Sequence, residues 1–418
     1  VFDKNSKVPP EFMVTLSSTV RVGVPELLNS SSPPFCIVKE LQTLASWTKG
    51  TTSEPETFYN LYLSGGSTKS ASGAINVSND LTVTASNTIL ELTSNNLDVN
   101  GDVVVSSSGK IRASTATINF DESINASGGN IEFTGAGTLN LTKSVSNLGT
   151  FTAGNSTVVF SYAGTQTFPS DTYYNLTVSG GNKTVGGNVT VSNNLTVDGA
   201  SANFNMNTYD LDVDGTTSLT NSGTINLTSG TFDADGEVNN SAGTINISAA
   251  GNLVLSNTVT DLGTVDFGSS STVTYDGSSP QNIYNANYHD LTINNSSGTN
   301  ITAGATTISG NLNLSQGTVN QNTNMLVFSN GATVSNSSNS SHAYNGPVTK
   351  NYTSTIPFTY PVGDGTNYRP ISLNMSSSNG NVLSAAYLFA NQNQNSLNSS
   401  LSSIETYGWD IQRITGTD

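Results

Sequence analysis

The sequence predicts an all-β protein built as a parallel β-solenoid, and three observations carry that prediction. Apolar residues recur in short alternating runs, among them Leu176, Val178, Val189, Val191, Leu195 and Val197. Whole cassettes return after about 115 residues, and a finer period of about 20 runs inside them: "GTINLTSG" begins at Gly223 and "GTINISAAG" at Gly243. Alternate side chains of a strand face opposite ways, so each run lines a narrow core with few apolar residues. A unit of this length would also fit one immunoglobulin-like sandwich. The shorter period favours coils, each of which contacts only its neighbours.

Composition agrees. Of 418 residues, 34% are hydrophobic and 10% charged, with 39 Gly, against roughly 25% charged and 45–50% apolar in an average soluble domain. A thick core flanked by salt-bridged helices is hard to build from this mixture, whereas a thin stack with Asn, Gly, Asp and Ser at its corners is not. Thirteen Lys plus Arg against 29 Asp plus Glu give a formal charge of −16, so no basic patch is on offer and nucleic acid is excluded as a partner. The single cysteine, Cys36, has no partner for an internal disulfide. No stretch approaches the roughly 20 apolar residues of a membrane span, and Val1 opens no basic-then-apolar leader, so a mature or processed soluble chain is expected.

Residues 1–56 stand outside the cadence and carry five of the 13 basic residues. "SSPPFCIVKELQTLASWTKG" predicts a helix over about 32–48: Ser32 caps, Pro33 and Pro34 suit the first turn, and Ile37, Leu41, Leu44 and Trp47 share a face. Such a segment serves either as a cap over the first coil's apolar cross-section or as a docking element.

The solenoid is expected over 57–345, in units 57–171 and 172–286 and a shortened 287–345. "TFYNLYLSGG" (57–66) returns as "TYYNLTVSGG" (172–181) and more loosely as "NYHDLTINNSSG" (287–298), with Tyr59, Tyr174 and Tyr288 read as equivalent. "LGTFTAGNSTVVF" (148–160) is answered by "LGTVDFGSSSTVTY" (262–275), which pairs Phe160 with Tyr275. Coils about 4.8 Å apart would make this stretch a rod roughly 65–70 Å long. From 346 to 418 a different β-module is expected, partial and sandwich-like, because Pro347, Pro357, Pro361 and Pro370 do not suit a central ladder. Its last strand, "YGWDIQRITGTD", carries Trp409 and Ile411 without an evident partner strand. With Cys36 and Trp47 these are the assembly candidates.

The order of these parts, "FYNL" and "SGG" cassettes, then "GPVTK", then "FTYPVGDGTNYRPISL" and "YGWDI", resembles the repeat-bearing surface and adhesin-like proteins of Bacteroidetes-type bacteria, whose solenoid is similar to that of filamentous haemagglutinins. The resemblance covers about 57–418 and is most specific at "PVGDGTNYRP". It implies a right-handed coil and an exported, extracellular or cell-surface location.

Candidate chemistry is sparse. Asp210, Asp212 and Asp214 before Gly215 form the first half of a calcium loop, with oxygens at alternate positions. Asn221 stands where a bidentate Glu would complete it, so calcium competes with a solvated acidic edge, and no other cofactor is expected. His289 and His342, the two histidines, read as surface residues with no orienting acid or nucleophile nearby. Lys110 and Arg112 are the one close basic pair in the repeats and read as a solvated strand face or a local site. Recurrent aromatics suit core packing or the stacking of surface glycans. The expectation is a non-catalytic extracellular stalk, adhesin shaft or self-assembling fibre subunit. A polysaccharide-binding or polysaccharide-cleaving β-helix is the alternative.

Overall fold

The computed structural model describes residues 37–38, 55–352, 356–374, 381–388 and 408–415. The chain divides into two units, Val1–Phe204 and Asn205–Asp418, and each is a stack of coils with three strands to the turn. In the first unit Glu56–Phe58, Ile75–Val77, Leu97–Val99, Thr117–Phe120, Thr138–Leu141, Thr157–Phe160, Asn175–Ser179 and Leu195–Asp198 follow one another in a single sheet. Within this sheet each strand pairs in parallel with the strand three places on, and register is kept residue by residue. Ile118, for example, lies between Leu97 and Leu139, and Asn119 between Asp98 and Asn140. In the second unit Leu211–Val213, Thr231–Ala234, Asn252–Leu255, Thr272–Tyr275, Asp290–Asn294, Asn311–Gln316 and Thr333–Ser335 do the same, with one shift of register between Ile293 and Asn294.

Alternation sets what is inside. Leu195 and Val197 are fully buried while Thr196 between them is half-exposed, and Leu253 and Leu255 flank half-exposed Val254 in the same way. In each unit the inward positions among the described residues are filled mainly by Leu, Val, Ile and Phe. Outward Asn residues stack into amide ladders, Asn246 donating to Asn226 at 3.2 Å and Asn226 to Asn205 at 2.9 Å. Corners use a second device. Asn60 Oδ1 accepts the backbone N–H of Asp80, Asp80 Oδ1 that of Asp102, and Asp102 Oδ1 that of Ser123, at 3.0, 3.0 and 3.2 Å. A side-chain oxygen at each corner thus satisfies an amide of the next coil.

The repeats reproduce these devices. Gly149 and Gly263 take φ +71° and +65°, and a Cβ on either would fall 2.3 or 2.2 Å from a backbone oxygen of the coil before. Only glycine fits there. The residue two places earlier, Asn147 or Asp261, accepts its N–H at 2.5 or 2.7 Å. Phe160 and Tyr275 are both fully buried, which is the core-packing alternative. The aromatic register differs by one from the sequence reading, however. Strands Thr172–Tyr173 and Asn287–Tyr288 correspond, so Tyr288 matches inward Tyr173 and His289 matches Tyr174. Tyr173 and Tyr288 hydroxyls both donate to the carbonyl four residues back, Pro169 at 3.0 Å and Tyr284 at 2.6 Å.

The repeat and the turn are out of phase. Asn60–Leu63 and its copy Asn175–Ser179 are seventeen strands apart, one short of six turns of three. Asn60–Leu63 accordingly pairs with Leu81–Val83, whereas Asn175–Ser179 lies between Thr157–Phe160 and Leu195–Asp198 in another sheet. Within the first unit the copies occupy different faces, yet Leu61, Leu63, Leu176 and Val178 are all buried.

At the start, the helix expected over about 32–48 lies outside the described residues except for Ile37–Val38. These two are extended, not helical, and pair in parallel with Asn60 and Leu61. The first coil's edge offers unpaired amides and carbonyls, and that demand outweighs the local helical period. Toward the other end, parallel stacking runs past Asn345: Val348–Tyr352 pairs with Met325–Phe328 and Val362–Gly363 with Ala343–Tyr344. The pairing then turns antiparallel, Asn381–Leu388 against Val348–Tyr352, Gly408–Thr415 against Asn381–Leu388, and Phe358–Tyr360 against Ile371–Leu373. Antiparallel strands across the last parallel rungs end the stack on that face.

Candidate functional site

The acidic candidates divide. Asp212 faces outward on Leu211–Val213 and is in register with Asp233 of the next coil. Asp212, Asp214 and Asp235 bring one carboxylate oxygen each within 4.8 Å of one another. Asp210, the first residue of the expected calcium set, instead accepts the Thr231 N–H at 2.9 Å and serves a corner. Burial, then Asp235, Asp212 and Asp276, push the Asp233 carboxyl up to about 6, and burial with Asp214 and Asp235 raises Asp212. With one oxygen from each, the three carboxylates give three of the six to eight ligands that calcium takes. The arrangement is an acidic edge under its own repulsion, able to hold a cation only with ligands from elsewhere.

The basic pair is neutralised across coils. Glu91, Arg112 and Glu132 are in register on one outward face, Arg112 bridges to Glu91, and Lys110 pairs with Glu132. These are rungs of a charge ladder, with no cation turned to a substrate.

Neither histidine has the setting of a general base, and one contradicts the surface reading. His342 is fully buried: its Nδ1 lies 3.1 Å from the Ser338 carbonyl and its Nε2 accepts the Gly365 N–H at 3.1 Å. It pins the "GDGTNYR" loop, where Asp364 Oδ1 accepts the Thr366 and Asn367 N–H groups at 2.9 and 2.6 Å. His289 is half-buried beside Asp290, with 3.3 Å between Nδ1 and Oδ2.

Three inward lysines are not among the candidate residues that the sequence suggests. Lys69, Lys183 and Lys350 are 0%, 0% and 5% exposed. Lys183 Nζ donates to the carbonyls of Tyr162 and Gly181, at 2.5 and 3.4 Å. Lys350 Nζ donates to those of Ser329 and Ala332, both at 2.7 Å. The Lys183 and Lys350 ammoniums tie corner carbonyls from inside, whereas that of Lys69 contacts Ser67 alone among the described residues, and burial lowers the pKa of Lys183 and Lys350 to about 8. Strand parity was the available signal, since Lys183 stands two residues before inward Val185, and Lys350 between inward Val348 and Tyr352.

Of the assembly candidates, Cys36 and Trp47 lie outside the described residues. Trp409 and Ile411 are 45% and 44% exposed on Gly408–Thr415, the outermost strand of its sheet among the described residues. Trp409 Nε1 donates to the Arg369 carbonyl at 2.8 Å, which fastens this strand to the "GDGTNYR" loop.

Fold and candidate residues together define a parallel β-solenoid repeat protein. Comparison with protein-family models, with curated proteins and with solved structures gave no match. Among the described residues no helix is long and apolar enough to cross a membrane.

Proposed function

We propose that this chain is a non-catalytic structural protein of an extracellular bacterial surface, a stalk, adhesin shaft or fibre subunit of the kind the Bacteroidetes-type surface proteins exemplify. One observation carries the reading. The repeat is seventeen strands long while the turn is three, so sequence copies in the first unit occupy different faces and share only interior and corner positions. A repeat kept for a row of identical ligand or catalytic sites would keep one face. What recurs is what stacks coils: inward Leu and Val, the Gly149 and Gly263 corners, and the Asn60 and Asn175 amide acceptors.

The candidate groups support the same reading. Lys110, Arg112, Lys183, Lys350 and His342, which would serve catalysis in another setting, bind groups of neighbouring coils. Self-assembly belongs to this proposal, because an outermost strand with exposed Trp409 and Ile411 is a template for pairing with another chain.

Electron micrographs of native material, with light scattering on the purified chain, test it. Thin rods or fibres are the expected result. Globular particles, or release of reducing or unsaturated sugars from a polysaccharide panel, would overturn it in favour of a polysaccharide-cleaving β-helix.

A further inference from the structure

Two adjoining clefts lie where the second unit turns from parallel to antiparallel pairing. The larger, about 470 Å³, is walled by Tyr344, Asn345, Asp364 and Tyr387. The smaller, about 260 Å³, is lined by Met325, Thr349, Ser384, Asp410 and Gln412 among others. Pro347 and Ala386 line both, so the two are parts of one groove. Its size is within the ~300–1,000 Å³ usual for small-molecule sites.

Three features of the groove specify a ligand. The first is a pair of aromatic side chains held in place. A Cβ on Gly365 would lie 3.1 Å from the Tyr344 ring, so that ring rests on the loop that His342 pins. Tyr387 packs edge-on against Trp409 at 6.0 Å, and Trp409 is itself fastened to Arg369. Rings fixed in this way present apolar faces without losing side-chain freedom on binding.

The second is an unmet hydroxyl. Thr349 is 5% exposed and its Oγ1 has no hydrogen-bond partner, although it lines the smaller cleft opposite Ser384, its partner in strand register. A buried polar group in this state needs a ligand group or water to complete it. Gln412 and Asp410, joined at 2.6 Å, border the same cleft.

The third is charge. The charged lining residues are Asp410 and Asp364, the latter paired with Arg369 at 3.6 Å, and none is basic, so the lining offers an anionic ligand no cation.

We propose that this groove binds a short uncharged oligosaccharide, with sugar C–H faces against Tyr344 and Tyr387 and hydroxyls bonded to Thr349, Asp410 and Gln412. Sugar hydroxyls both donate and accept, which suits a threonine, a carboxylate and an amide side by side. The inference gives the surface protein proposed above a ligand, yet the two fail separately: micrographs test the shaft, and only titration tests the groove.

The test is calorimetric titration of the full chain with neutral gluco-, manno-, galacto- and xylo-oligosaccharides of three to six residues. Binding by at least one is expected. Tyr387→Ala should weaken it more than tenfold and Tyr387→Phe less than threefold. Thr349→Val should weaken it about fivefold or more while leaving the melting temperature unchanged or higher, an outcome that a merely structural role for Thr349 would not give. No binding below millimolar concentration across the panel would overturn the proposal. So would binding indifferent to both Tyr387→Ala and Thr349→Val, or a groove that takes extended peptides and no glycan.

Discussion

His342 Nε2 accepts the backbone N–H of Gly365 at 3.1 Å, while its Nδ1 faces the Ser338 carbonyl at the same distance. The first contact needs a lone pair and the second a proton, so the ring is held neutral in one tautomer. Around it stand Asp364, whose charge favours protonation, the Asn339 backbone, and the rings of Tyr344 and Tyr368. Burial outweighs these and lowers the pKa below the ordinary histidine value. A base depressed in the folded state contributes stability that is complete above its unfolded pKa of about 6.5 and is lost as pH falls through the folded value. Chemical denaturation between pH 7.5 and 5 should show this loss, about 1–3 kcal/mol if the Gly365 N–H is left unmatched. His342→Gln should flatten the slope over that window.

Asp233 predicts the opposite sign. Its carboxyl is raised to about 6, and its Oδ1 is buried without a hydrogen-bond partner. A raised acid contributes stability that is present below its unfolded pKa of about 3.9 and is lost as pH rises through about 6. At pH 7 the ionised group is therefore a cost, and Asp233→Asn should stabilise by about 1 kcal/mol, a figure discounted because the side chain is partly screened by solvent. The gain should shrink at pH 4 and in high salt. Calcium at millimolar concentration should leave the wild-type midpoint unchanged; a saturable upward shift abolished by Asp212→Asn would make the cluster a metal site.

How far the sequence discloses this fold depends on how local each signal is. The coil length of about 20 follows from the short repeat and the inward faces of runs such as Leu195 to Val197 from alternation, and both are as expected. The aromatic register does not follow, because "TYYNL" offers two adjacent tyrosines and parity with the next coil decides that Tyr173, not Tyr174, turns inward. Ile37–Val38 went astray for a related reason: spacing at 37, 41, 44 and 47 is helical, but a sheet edge brought up from residues 60 and 61 is a non-local partner. The groove is less legible still. Thr349, Tyr344 and Tyr387 come together only through the antiparallel return of Asn381–Leu388.

The inward lysines were legible in principle, and Lys183 offers a direct test of their role. Its aliphatic stem fills the stack where its neighbour in register is Gln166, and its ammonium holds the Tyr162 carbonyl. Lys183→Ala removes both and should cost about 2–4 kcal/mol, whereas Lys183→Met keeps the packing and should cost less than half as much. With a folded pKa near 8 against about 10.4 unfolded, the wild type should also gain stability as pH rises across that interval. The Met variant should lose this gain, and equal losses for Ala and Met would show that the ammonium, not the stem, matters.

Leu253 and Val254 are adjacent on one strand and should behave as if they belonged to different proteins. Leu253 is fully buried between Phe232 of the preceding coil and Val273 of the next, while Val254 points outward and is half-exposed. Leu253→Ala removes methyl groups from a buried position packed between two adjoining coils. A cost of about 2–5 kcal/mol is expected. Val254→Ala should stay within about 0.5 kcal/mol, as solvated positions do. Because each coil contacts only its neighbours, hydrogen exchange should locate the damage as well as measure it. Amides of Thr231–Ala234 and Thr272–Tyr275 should exchange faster in Leu253→Ala, and those of Asn311–Gln316, two rungs further on in the same sheet, should keep their protection. Uniform acceleration across the second unit would mean that it unfolds as one cooperative block rather than as a stack of separable coils.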